Sequence, residues 1–144
     1  MDAGIVGQIG IGACLGLAAC GSALGARVAG MSAIGAWKKC FIQNKPVPFI
    51  LVAFVGAPLT QTIYGFILMN VLINTENLNA FQLLGVGTFA GLAIGASAWA
   101  QGCCSAAAAD AYAETEQGFG NYMLVIGLCE TIALFVMVFA MLVA

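Results

Sequence analysis

One glutamate, Glu130, stands in the run GLCETIALFVMVFAML (127–142), where Thr131 is the only other polar side chain. An acidic residue at the centre of a membrane helix costs about 2.5–3.5 kcal/mol on insertion scales, so its presence asks for a chemical reason. A second stretch, APLTQTIYGF (57–66), places Ala57, Thr60, Gln61 and Tyr64 at i, i+3, i+4 and i+7, one face of a helix. Pro58 within it removes a backbone donor and loosens the carbonyls of the preceding turn. Gln101 adds a second amide from another apolar run. Together these are one carboxylate, two amides, a hydroxyl and freed carbonyls, a hard-oxygen set suited to a hard cation. Tyr64, a turn beyond Gln61, is placed to donate its phenolic hydrogen to the carboxylate. Plainer readings exist for each group alone: Thr60 and Gln61 as glue between helices, Tyr64 as packing, Gln101 as the lining of a wet groove.

The elements that must hold these groups follow from composition. Of 144 residues, 62% are hydrophobic and 7% charged, with a mean hydropathy of +1.05. So few charges cannot cover a water-soluble domain, and the chain is expected to be an all-α integral membrane protein. Apolar stretches at about 4–37, 47–73, 80–112 and 119–143 make four spanning helices. The four form a single membrane domain over 1–144, hairpin one at about 4–73 and hairpin two at about 80–143. Little chain remains for soluble chemistry, so neither a catalytic site nor a nucleic-acid partner is expected. Met1-Asp2-Ala3-Gly4 lacks the basic segment of a cleavable leader, and none is expected. The six cysteines form no C-x-x-C pair and there is no histidine, so they read as small buried hydrophobes rather than soft-metal ligands. Lys38, Lys39 and Lys45 share the first connection, which positive-inside places in the cytoplasm. Segments near 38–46 and 110–118 are then cytoplasmic, with both termini and the NTENLN turn (74–79) outside. Arg27, inside the first apolar run, receives no role; it either snorkels to the cytoplasm or faces a lumen.

The chain is also a duplication. IGIGACLGLAACGSALGA (9–26) lies over LGVGTFAGLAIGASAWAQ (84–101), pairing Gly10 with Gly85, Gly12 with Gly87, Gly16 with Gly91 and Ser22 with Ser97. TQTI (60–63) lies over CETI (129–132), so Gln61 corresponds to Glu130 and Ala26 to Gln101. Helices 1 and 3 are rich in glycine and alanine, helices 2 and 4 in bulky side chains. Small residues let helix backbones approach closely in lipid, and a thin-and-thick hairpin suits a homo-oligomeric ring with the thin helices inside. If hairpin two turns near residues 115 and 116, Gln101 and Glu130 are equidistant from the turn and lie at one depth.

Across essentially its whole length the sequence resembles the duplicated proteolipid (the K or c component) of the V-type ATPase membrane rotor. It is most similar to the sodium-translocating bacterial branch, through P-x-T-Q-x-x-Y-G-F (Pro58 to Phe66), A-Q-G (Ala100–Gly102) and E-T (Glu130–Thr131). The resemblance implies sodium held by Glu130, Gln61, Gln101, Thr60 and the backbone carbonyl of Ala57, with Tyr64 bonded to the glutamate and protons competing. It also implies a rotor ring of identical subunits in a bacterial cell membrane, surrounded by lipid and coupled to ATP hydrolysis or synthesis elsewhere. A stator membrane subunit would supply an arginine, and a central-stalk subunit would meet the cytoplasmic loops. Cys103 after the A-Q-G and the acidic third connection put the family's usual docking residues in doubt. Rival readings are the same rotor carrying protons, a small four-helix cation or multidrug antiporter, and a structural pore proteolipid that would need no ligand shell.

Overall fold

The computed structural model describes residues 3–144; Met1 and Asp2, on which the leader expectation partly rests, lie outside the described residues. Among these the fold is all-α. Four apolar helical segments are long enough to cross a membrane: Gly4–Ile42, Leu51–Asn74, Ala80–Thr115 and Phe119–Val143. The protein is a multi-pass membrane protein.

α1 (Ala3–Ile42) runs five residues further than the apolar pattern suggests, through Lys38 and Lys39. Nothing before Pro46 forbids helix, and Asn44, at φ 52°, takes the left-handed conformation that turns the chain out. Trp37 donates its indole N–H to the Pro48 carbonyl at 2.9 Å and ties the connection down. The second span is broken where Pro58 falls. α2 (Leu51–Gly56) passes into a 3-10 turn (Ala57–Leu59) and then α3 (Thr60–Asn74). α4 (Ala80–Thr115) begins with a capping box: Asn79 accepts from the Phe81 and Gln82 amides, and Gln82 accepts from Asn79 N–H. It ends at Glu116 and Gly118, both at positive φ, before α5 (Phe119–Val143). The turn of hairpin two therefore lies within two or three residues of its expected centre.

α1 and α4 form the spine, and glycine permits it. A Cβ on Gly21 would lie 2.0 Å from the Gly95 oxygen, on Gly87 2.0 Å from the Gly10 oxygen, and on Gly102 2.2 Å from the Gly25 Cα. No side chain fits such approaches. At about 1.5 Å per residue the 40 residues of α1 reach roughly 60 Å, so the spine projects beyond a hydrocarbon layer of about 30 Å. Lys39 on α1 and Glu114 on α4 are hydrogen-bonded in that projecting part.

α3 and α5 flank the spine and pack in two apolar clusters. One, toward the basic connection, gathers Ala33, Leu51, Phe54, Ala109 and Ile126. The other gathers Cys14, Ala18, Leu68, Ile94 and Ala133. The buried polar residues Ser22, Gln61, Ser97, Gln101 and Ser105 all fall between the two. The fold thus brackets one polar layer with two dry ones. Bulky side chains such as Leu124, Leu128, Ile132 and Phe139 of α5 point outward.

Candidate cation site

The polar layer is a continuous hydrogen-bonded chain. Thr60 Oγ1 donates to the Ala57 carbonyl at 3.1 Å, inside the 3-10 turn that Pro58 occupies, and lies 3.2 Å from Gln61 Oε1. Gln61 Nε2 donates to Gln101 Oε1 at 2.5 Å. Gln101 Nε2 donates to the Ile126 carbonyl at 3.1 Å and to Glu130 Oε2 at 3.3 Å. Tyr64 O–H donates to Glu130 Oε1 at 2.7 Å. Every group singled out by residue type and spacing is in this chain, including the pair matched by depth across hairpin two.

The backbone explains the convergence. The 3-10 turn tightens the chain around Pro58, which is buried against α1; a Cβ on Gly25 would lie 2.9 Å from the Pro58 Cβ and 2.4 Å from the Ala98 oxygen. That close crossing sets α3 so that Gln61 points at α4 and Tyr64 reaches α5. Gln61 and Gln101 are fully buried, whereas Glu130, Thr60 and Tyr64 are half-buried. A buried amide needs its partners, and these two amides satisfy each other. The carboxylate keeps one side toward the exterior of the chain.

The donor set fits a hard monovalent or divalent cation in type: one carboxylate, two amide oxygens, a hydroxyl and a carbonyl. Among the described residues no cluster of three or more His, Cys, Asp or Glu side chains could hold a soft or multivalent metal.

Some participants escaped the sequence reading. Ser97 donates its hydroxyl to the Cys129 carbonyl at 2.6 Å, one residue before Glu130. Its place one turn before Gln101, and its match with Ser22 in the repeat, were the available signals. The Ile126 carbonyl, which orients Gln101, had none. The cysteines are not uniformly buried: Cys14 and Cys40 are, Cys20 and Cys103 are exposed, and Cys104 and Cys129 are intermediate with their sulfurs 3.7 Å apart. The sequence lacks a C-x-x-C because this pair is made across two helices. Arg27 is exposed and, among the described residues, forms no ion pair.

Residues 84–143, which contain Gln101 and Glu130, match the family of the ATP synthase C-type rotor proteins. The chain is 33% identical over 144 residues to the K component of the A-type ATP synthase of Methanocaldococcus jannaschii, an alignment covering 99% of this chain. It spans 63% of that relative's length.

Proposed function

The chain belongs to the rotor proteolipids of the V/A-type ATPases, and from that premise we propose that it carries one sodium ion per subunit on Glu130 as a ring of copies turns in the membrane. The antiporter and pore alternatives fall away with the family. The observation that carries the ion reading is the chain of oxygens from Ala57 to Glu130, set in the one polar layer between two apolar clusters.

In this reading the Gln101 amide reports the ion-free arrangement, its N–H on the carboxylate. Loading turns that amide over so that Oε1 faces the ion beside Gln61 Oε1, Thr60 Oγ1 and the Ala57 carbonyl. Tyr64 holds the other carboxylate oxygen throughout. A loaded, neutral site crosses lipid at low cost, and a bare carboxylate does not. Release therefore requires a cation from another chain, for which a stator arginine has the right chemistry. Gln61 cannot ionise, so each set of four spanning helices carries one ion. The coupled ATP chemistry belongs to other subunits, with the basic connection and the 110–118 segment on the cytoplasmic side toward a central stalk.

Ring assembly draws support from the duplication itself. Within the chain, the α1 face Gly10, Cys14, Leu17, Gly21, Gly25 receives the α4 face Gly87, Gly91, Gly95, Ala98, Gly102. In the repeat, the counterparts of the second face are Gly12, Gly16, Cys20, Ala23 and Arg27 on α1, all of them exposed or half-buried. The counterparts of the first are Gly85, Phe89, Leu92, Ala96 and Ala100 on α4; Leu92 and Ala100 are exposed, and a Cβ on Gly85 meets nothing within 4 Å. One chain thus leaves uncovered two faces equivalent to the two it uses. Stacking the next copy in the same way covers both, and a head-to-tail contact whose rotation closes makes a ring.

The test is protection of Glu130 against carbodiimide, titrated with sodium at several pH values. A protonated carboxyl must lose its proton before sodium enters. Where the protonated form dominates, the protecting sodium concentration rises about tenfold per unit of acidification, the free-energy equivalent of about 1.36 kcal/mol. Labelling indifferent to sodium at every pH would assign the same carboxylate to protons; a protection midpoint independent of pH would place the ion elsewhere.

A further inference from the structure

Two thiols meet beside the carboxylate without a part in the ion reading. Cys104 lies three residues past Gln101 on α4, Cys129 immediately precedes Glu130 on α5, and their sulfurs are 3.7 Å apart. A groove of about 280 Å³ between the two helices, lined by Cys104, Ala107, Ala108, Ala111, Tyr122 and Val125, leads to Cys104. Three alanines on α4 leave this space open, and no charged side chain lines it. Cys104 is therefore reachable by an apolar reagent, with Cys129 behind it as the resolving thiol.

We propose that Cys104 and Cys129 are an oxidisable dithiol, whose disulfide staples α4 to α5 at the depth of Glu130 and holds the carboxylate in its closed position. The apolar lining selects a lipophilic two-electron oxidant of the quinone class over a charged soluble disulfide. The Cys104 thiolate adds to the quinone ring. Cys129 sulfur then attacks Cys104 sulfur; the S–S bond forms, the C–S bond breaks with its electron pair passing to the ring, and the two thiol protons complete a hydroquinone. The sulfurs close from 3.7 Å to about 2.05 Å, drawing together the segments that carry Gln101 and Glu130. The effect on the carboxylate rests on the carrier reading, in which Glu130 must part from Gln101 to exchange its ion; the disulfide itself does not.

The experiment treats the full-length protein in liposomes with tetramethylbenzoquinone, then maps peptides by mass and times carbodiimide labelling of Glu130. The expected result is the loss of two hydrogens in a linked Cys104–Cys129 peptide, labelling at least tenfold slower, and recovery with dithiothreitol. Cys104→Ser should label at the reduced rate and ignore the quinone. Oxidation that joins other cysteines, or a mapped linkage with unchanged labelling, overturns the proposal; the native protein before and after reduction gives that answer even if the variant fails to fold. Absence of labelling in the reduced protein would instead sink Glu130 as carrier, and the mapped linkage would still decide whether the dithiol exists.

Discussion

At equivalent places in the two hairpins, Gln61 on α3 is wholly buried with its amide on Gln101, while Glu130 on α5 is half-buried and takes hydrogen bonds from Tyr64 and Gln101. Their neighbours differ in the same sense. Ser97 of the second hairpin bonds the Cys129 carbonyl, whereas its counterpart Ser22 is buried with no partner. Gln101 of the second hairpin corresponds to Ala26 of the first. The duplication has therefore not made two sites. The first hairpin has become a wall of the second hairpin's site, supplying Thr60, Gln61 and Tyr64 to a carboxylate it does not own. A buried amide beside a buried amide is self-satisfied; a second carboxylate there would stand beside the first with like charge, which raises the cost of ionising either.

The sharpest way to break this comparison is to make the second hairpin like the first. Glu130→Gln keeps the size and the hydrogen-bonding atoms but removes the ionisable group. It should abolish carbodiimide labelling in the spans and all sodium-dependent protection, while the chain still accumulates in the membrane, since Gln61 shows that an amide is tolerated in that layer. Residual sodium-protected labelling in this variant would move the carrier role to another carboxyl.

A second comparison sets Gly16 against Gly91, the same position in the two repeats. A Cβ on Gly91 would lie 2.7 Å from the Cys14 oxygen, while one on Gly16 meets nothing within 4 Å. Leucine at 91 should therefore wedge α4 off α1 and prevent accumulation of the folded chain. Leucine at 16 should leave the single chain folded and block its contact with the next copy. Native mass spectrometry of detergent-extracted protein reads both, with Gly16→Leu expected as monomers and small oligomers. A full-size ring from Gly16→Leu would show that the uncovered face does not meet the next copy.

Much of this was legible in the sequence because it depends on period and symmetry. The helix face through Ala57, Thr60, Gln61 and Tyr64, the break at Pro58, and the common depth of Gln101 and Glu130 all follow from helix geometry applied to residue numbers. The helix ends were less legible, since hydropathy stops at the membrane and α1 and α4 do not; they continue into water as helices with Lys39 and Glu114 paired across them. What the sequence could not show is contact between helices of different hairpins. The Gln61–Gln101 bond joins residues from the two halves, and the Cys104–Cys129 approach depends on the rotation of α5 about its axis. Neither rotation nor inter-hairpin packing leaves a periodic trace.

The smallest expected effect separates Ser22 from Ser97. Both are buried serines at matching positions, yet only Ser97 has an acceptor, the Cys129 carbonyl at 2.6 Å. Side-chain hydrogen bonds between membrane helices average about 0.6 kcal/mol and reach about 1.7 kcal/mol. Ser97→Ala should lie in that range of destabilisation. It should also weaken sodium protection modestly, because the bond fixes the residue before Glu130. Ser22→Ala removes a hydroxyl that has lost its water without gaining a partner, and leaving such a group buried carries a desolvation penalty of about 1–3 kcal/mol. Its removal should be neutral or slightly stabilising, with the small loss of packing around Cβ set against the relieved desolvation. Thermal unfolding of the two variants in the same detergent measures the difference, and Ser22→Ala should melt at or above the unsubstituted protein with Ser97→Ala below it. Equal losses in both would mean that Ser22 is bonded in the assembled state. The neighbouring copy, rather than the chain itself, would then complete the first hairpin's half of the polar layer.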